Sequence, residues 1–269
     1  MLFSIIVSKT DSAGMNFRSL FIESFGFKET EREFQGNKIF SFKNFELVTI
    51  DSSQVFADFL SELKTDFFVF ASKHGSKSGK PSLTVHSIGN FSRAELGGKD
   101  FSLVPASAFL SANYLLSLKE KQLSQNLQGF DVSLEATHHG PFLEKPAIFI
   151  ELGSSEKEWQ LKKPAEAICE TILEKTSLRS DAVPCIGIGG GHYSPSFTKR
   201  IFSENLAFSH IAAEYAMPFF NENSLREMLS KSIEKTQRIV VDKKGIGKSE
   251  QKNRVKKILE AQEIEVQWV

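Results

Sequence analysis

With 269 residues, 30.1 kDa, 41% hydrophobic and 25% charged side chains, the chain can bury a large core and leaves no room for a long disordered tail. Its formal charge is zero, so it has no overall electrostatic bias towards nucleic acid or membrane. The opening MLFSIIVSKTD holds an apolar run of six residues with no basic residue before it, too short for a secretory leader or a membrane span, and Cys169 and Cys185 make neither a CxxC pair nor a disulfide framework; a cytoplasmic chain without membrane contact, active as a monomer, is expected.

In chain order, apolar runs at 2–7, 45–50, 66–71, 83–88, 130–136, 147–152, 183–188, 238–241 and 264–269 predict strands. Several are continuous enough to be buried on both faces. Helical spacing covers 12–25, 54–64, 105–126, 156–176, 222–236 and 249–262. Strands alternating with helices imply an α/β protein with a mixed, largely parallel sheet between helical layers. Residues 27–50 differ: FKETEREF, NKIFSFKN and FELVTI suggest short antiparallel strands turning at Gly36-Asn37 and Lys43-Asn44, a β-hairpin annex on one continuous domain, 1–269.

All six histidines fall in four segments: SKHGSKSGKPSLTVHSIGN (72–90), EATHHGPF (135–142), GIGGGHYSPSF (187–197) and AFSHIAAEYA (207–216). Three of these segments begin where an apolar strand ends, and ligands of open α/β sheets bind beyond the carboxyl ends of strands. His74 stands in a loop too polar to pack, which favours a ligand or catalyst. His86, inside SLTVHSI, reads on its own as a core histidine. His138 and His139 point to opposite faces of any regular strand and could share a metal only if the chain turns, which Gly140-Pro141 makes reasonable. Glu151 closes an apolar strand, where a carboxylate is costly unless paired or ligating. In GIGGGHYS the glycines allow close backbone approach to a ligand, with His192 and Tyr193 offering an imidazole and a phenol. His210 and Glu214, four apart, would share a helix face suited to zinc or to a surface hydrogen-bonded pair.

No HExxH, Walker A or G-x-S-x-G motif occurs. Both cysteines sit in apolar contexts where a thiol is inert, so water is the expected nucleophile. Residues 238–257 hold eight basic side chains against two acidic ones, which suits either a phosphate contact or a solvated helix face.

The blocks SKHGSKSGKPSLTVHSIGNF, EATHHGPF, FIELGSSEKEW and GIGGGHYSPSFTK, in this order, with DKKGIGKSEQKNRVKKI near the end, resemble the archaeal and plant-type D-aminoacyl-tRNA deacylases across most of the chain. The resemblance implies a three-layer α/β/α core like that of phosphorylases and peptidyl-tRNA hydrolases, with a small extra β element. It also implies a zinc-dependent hydrolase that cleaves the ester joining a D-amino acid to tRNA. On that basis His74, His139, His192 and Glu151 are expected to hold Zn2+, leaving the number of ions open. Glu151, His138 and Tyr193 are expected to act in catalysis. His86, Ser76, Lys80, Gly190 and His210 are expected to contact substrate, and Lys243, Lys244, Lys248 and Arg254 the tRNA. Two rivals remain at this point: a zinc metallopeptidase or amidohydrolase on the same fold, which gives no reason for the basic block, and a non-catalytic RNA-binding module with structural histidines.

Overall fold

The computed structural model describes residues 1–269 except Ser78 and Arg179. Its centre is an eight-stranded sheet in the order β2-β3-β4-β1-β5-β8-β6-β7. The strands are β1 (Phe3–Ser8), β2 (Lys28–Phe34), β3 (Asn37–Phe42), β4 (Phe45–Ile50), β5 (Phe67–Gly75), β6 (Ser82–His86), β7 (Asp131–Leu134) and β8 (Ala147–Ser154). Every residue of β1, β4 and β8 is buried, the few polar ones included, matching their mainly apolar sequence and their position inside the sheet. β4, β1, β5 and β8 run parallel to one another; β6 runs antiparallel to β8, and β7 lies parallel to β6 at the edge.

A second sheet, four parallel strands in the order β10-β9-β11-β12, is built from β9 (Val183–Gly189), β10 (Leu206–Ala212), β11 (Arg238–Asp242) and β12 (Glu265–Trp268). The helices are α1 (Ser12–Glu23), α2 (Ala108–Ser124), α3 (Glu156–Trp159), α4 (Lys162–Glu174), α5 (Pro195–Glu204), α6 (Glu222–Ser230) and α7 (Ser249–Glu260). α2 packs against β6 and β7 of the large sheet and β10 of the small one. The main hydrophobic cluster therefore runs without a break from Phe3 and Val69 through Tyr114 to Phe208. The α/β class and the largely parallel sheet flanked by helices agree with the sequence expectation.

The segment 27–50 is a meander whose last strand, β4, pairs parallel with β1, so these residues extend the main sheet as its outer edge. Residues 54–64 form two short 3-10 turns, Gln54–Phe56 and Asp58–Glu62, in place of the expected helix. Gln54 is buried and its amide donates to the carbonyls of Ile6 and Ala71 (2.8 and 3.2 Å), which fastens the chain to β1 and β5 and prevents a continuous helix. The expected helix over 156–176 divides into α3 and α4, the second starting with Pro164 in its first turn, where a missing N–H costs nothing. Sequence spacing missed α5. It also read 207–216 through helical spacing, whereas Leu206–Ala212 is a strand with every residue buried.

Candidate active site

Strand alternation assembles half of the site. Ser72 pairs with Glu151 and His74 with Gly153 between β5 and β8, while antiparallel β6 sets Thr84 against Glu151 and His86 against Phe149. Paired residues and their i+2 neighbours share a face, so Ser72, His74, His86, Phe149 and Glu151 all project from one side of the sheet. The Ser72 hydroxyl donates to Glu151 Oε1 (2.5 Å). The His86 ring lies flat on Phe149 (4.9 Å, 7°), which in turn stacks on Phe70 (4.5 Å, 9°), so the site is seated on the aromatic core. His74 and His86 stand at the carboxyl ends of β5 and β6, and Glu135 and His192 follow those of β7 and β9, in keeping with the expectation from sequence, while Glu151 lies further back on the sheet face.

The other half comes from loops. The segment after β7 bridges the sheets: Glu135 N–H donates to Val85 O (2.9 Å), Ala136 N–H to His192 O (2.8 Å) and Thr137 N–H to Ile211 O (3.0 Å). His139 then adopts a left-handed φ of 42°, and this turn lets two adjacent histidines serve one centre. Ring centroids of His86, His138 and His139 lie 4.1 to 4.9 Å apart, and His192 reaches His138 at 4.7 Å.

The tautomers follow from the hydrogen bonds. Nδ1 of His86, His138 and His139 faces the carbonyls of Ser87 (3.1 Å), Ala136 (2.7 Å) and Gly140 (2.7 Å). A carbonyl can only accept, so each Nδ1 carries a hydrogen; His138 and His139 keep the Nε2 lone pair for another partner, whereas at His86 the effect of burial is overcome by the Glu151 and Glu135 carboxylates, which raise the pKa. This is the arrangement in which metal-ligating imidazoles are held by a backbone acceptor. Burial, reinforced by the neighbouring imidazoles, pushes His138 well below the ordinary histidine range. Burial likewise drives His139 down to about 4, which keeps it neutral.

Two buried carboxylates complete the cluster. Glu151 Oε2 stands 3.3 Å from His74 Nδ1 and 3.8 Å from His86 Nε2. Glu135 Oε1 stands 3.1 Å from His74 Nδ1, and its Oε2 lies 2.8 Å from His192 Nε2 and 3.7 Å from His138 Nε2. Despite these short distances, neither Glu135 oxygen receives a well-directed hydrogen bond, and His86 Nε2 also lacks one. Burial opposes ionisation of both carboxyls, but the surrounding imidazoles outweigh it, holding Glu135 below and Glu151 well below the usual carboxylate range. The same pairing raises His74 to about 10, because the Glu151 hydrogen bond and the two carboxylate charges overcome the opposing effect of burial.

Among the described residues, three sets bring ligand atoms within 4.8 Å of one another: His86, His138 and His139; Glu135, His138 and His192; and His74, Glu135 and Glu151. The four expected ligands, His74, His139, His192 and Glu151, are all in the cluster, but no one set holds all four. Glu135, which belongs to two sets, went unrecognised in the sequence. It could have been found by the reasoning applied to Glu151, since it too ends an apolar strand, VSLE.

Around the cluster, Tyr193 OH lies 2.9 Å from His74 Nε2 and donates to Ser76 Oγ (2.9 Å). Trp159 Nε1 donates to the His74 carbonyl (3.0 Å), which anchors the end of β5. Lys80 is exposed and pairs with Asp131 (2.5 Å). Gly190 (φ 79°) packs on Gly245 so closely that a Cβ on Gly245 would fall 1.9 Å from the Gly190 nitrogen. The basic turn at 243–246 therefore abuts the loop carrying His192, with Lys243, Lys244 and Lys248 exposed. Arg254, grouped with these lysines from the sequence, donates to the Met217 carbonyl and so ties α7 to the segment before α6.

His210 stands apart from the ring cluster. It is wholly buried in β10, with Nδ1 3.4 Å from Thr137 Oγ1 and Nε2 3.4 Å from the Lys231 carbonyl. Because 206–212 is a strand, His210 and Glu214 share no helix face, and the expected pairing does not form. Burial raises both thiols, Cys185 to about 12, consistent with inert packing.

Comparison with known proteins supplies the family. Residues 61–267 match a family model described as D-aminoacyl-tRNA deacylase. A Pyrococcus furiosus protein named D-aminoacyl-tRNA deacylase is 43% identical over 249 residues, 90% of each chain. A namesake from Pyrococcus abyssi is 40% identical over 98% of each. The crystal structure of a conserved protein of unknown function, AF0625, superposes with a TM-score of 0.88 at 29% identity, covering 99% of this chain and 95% of that one.

Proposed function

Because the chain belongs to the D-aminoacyl-tRNA deacylase family, we propose that it hydrolyses the ester of D-aminoacyl-tRNA, releasing the D-amino acid and tRNA, at a zinc centre formed by the histidine–glutamate cluster. The observation that carries the metal reading is Glu135: a buried carboxylate amid imidazole nitrogens, with both oxygens lacking a directed hydrogen bond. Such a group is costly unless a cation completes it. The donor set fits, since imidazole nitrogen and carboxylate oxygen are ordinary zinc ligands and the backbone-held, neutral rings of His138 and His139 present Nε2 lone pairs. The residues that would hold it fall into three sets, His86 with His138 and His139, Glu135 with His138 and His192, and His74 with Glu135 and Glu151, each able to offer three ligands to an ion. Zinc bound there would acidify water and polarise an ester carbonyl.

The chain's own groups supply the rest. Glu151, fixed by the Ser72 hydroxyl, is ionised and positioned to accept a proton. Tyr193, more than a third exposed and hydrogen-bonded to His74 and Ser76, stands at the mouth of the site and can pass a proton to the departing ribose oxygen, to be reprotonated from His74. The basic turn beside the His192 loop offers Lys243, Lys244 and Lys248 to the tRNA phosphates. The metallopeptidase alternative leaves this turn without a purpose. The test is hydrolysis of matched D- and L-aminoacyl-tRNA by purified protein with parallel elemental analysis. D-selective turnover with bound zinc is expected; turnover of an amide but not of the ester would overturn the reading.

A further inference from the structure

A groove of about 460 Å³ opens beside Tyr193, between α2, α5 and the outer edge of β7. Its size lies within the roughly 300–1,000 Å³ of sites that seat small ligands. Catalysis as described above uses none of it except Tyr193, whose hydroxyl contacts His74 while the residue also lines the groove. Two rings border it with considerable exposure, Tyr193 at 38% and Phe202 at 37%. Lys119 comes from α2, Lys199 from α5 and Lys80 from the segment before β6, against one carboxylate, Asp131. Lys80 pairs with Asp131 and Lys119 donates to Gln122, whereas Lys199 has no ionic partner among the described residues.

We propose that this groove seats the single-stranded 3′ end of the tRNA, the unpaired nucleotides that precede the esterified ribose. The assignment rests on the deacylase reading above. An ester on the terminal ribose at the histidine cluster requires the preceding nucleotides to leave along a surface continuous with that cluster. Tyr193 provides the continuity. Exposed aromatic faces beside ammonium groups are what single-stranded nucleic acid uses: bases stack on the rings and phosphates meet the lysines. The groove would accept any unpaired sequence, since stacking and charge do not read base identity. Lys199 and Phe202, on α5 and outside the catalytic cluster, would fix the strand and lower KM.

The test compares the full-length wild type with Lys199→Glu, Phe202→Ala and the double variant. Two fluorescent RNA hairpins serve as binding probes, one ending in unpaired CCA and one blunt. Kinetics use a D-aminoacyl-tRNA and the ethyl ester of the same D-amino acid. The wild type is expected to bind the CCA hairpin about tenfold more tightly than the blunt one, with the double variant erasing that difference. KM for aminoacyl-tRNA should rise by a similar factor, while kcat and ethyl ester hydrolysis stay unchanged. Equal binding of both hairpins by the wild type, an unaltered double variant, or equal damage to the ethyl ester would each overturn the groove assignment. A wild type that binds the CCA hairpin preferentially yet does not hydrolyse aminoacyl-tRNA would sink the deacylase reading and leave the groove standing.

Discussion

Glu135 Oε2 lies 2.8 Å from His192 Nε2, although Glu135 follows an edge strand of the eight-stranded sheet and His192 follows β9 of the four-stranded one. The centre is therefore a product of how the two sheets meet. Glu135→Gln keeps the shape and removes the charge that two ligand sets share. We expect zinc content and deacylation to fall, with activity down by about 10–100-fold. Wild-type turnover in Glu135→Gln would show that this carboxylate is structural.

Metal removal should act reversibly. Dialysis against a chelator is expected to abolish hydrolysis of D-aminoacyl-tRNA, and added Zn2+ to restore it, because backbone carbonyls orient the rings of His86, His138 and His139 through Nδ1. Full activity in protein shown metal-free by elemental analysis would refute the zinc centre.

Tyr193→Phe deletes one hydroxyl between His74 and Ser76. The expected outcome is a kcat lowered by about 10²-fold with KM little changed, since positioned proton transfer contributes roughly that much. A variant whose kcat matches wild type would place Tyr193 outside the chemistry.

Lys244 and Lys248 flank the turn that packs on Gly190. Replacing both with alanine should raise KM for aminoacyl-tRNA and flatten its salt dependence while a small D-amino acid ester is hydrolysed as before. Unchanged salt dependence would leave the basic block as a solvated surface.

His210 gives a pH prediction independent of the metal cluster. Burial lowers it to about 4, so the unfolded chain binds its proton more readily than the folded one. Its contribution to stability is present above the unfolded value of ~6.5 and is lost as pH falls towards 4, on the order of 3 kcal/mol in all. Urea unfolding at pH 7 and pH 4.5 should show a smaller loss for His210→Gln than for wild type. Equal losses would mean that other groups carry the acid sensitivity.

Much of this was readable in advance. The continuous apolar runs of β1, β4, β5 and β8 announced buried strands, and grouping the histidines by segment identified His74, His138, His139 and His192 as neighbours. His86 was legible only through its companions, because inside SLTVHSI its imidazole looks like core. What alternation cannot show is which strand lies beside which. Thr84 and Ser72 flank Glu151 because β6 inserts antiparallel next to β8, a pairing over a long chain separation that leaves no local mark. β10 was misread for a related reason. Buried on both faces, it has no polar alternation, and HIAAE fits helical spacing equally well.

The contact between Gly190 and Gly245 has a mechanical consequence. The backbone of Gly190 occupies the space where a side chain on residue 245 would begin, so the turn bearing the lysines is wedged against the loop bearing His192. If the turn holds RNA as proposed, a load on it would reach the loop that carries the His192 imidazole. A methyl group at residue 245 would act as a wedge between the two segments, 1.9 Å from the Gly190 nitrogen.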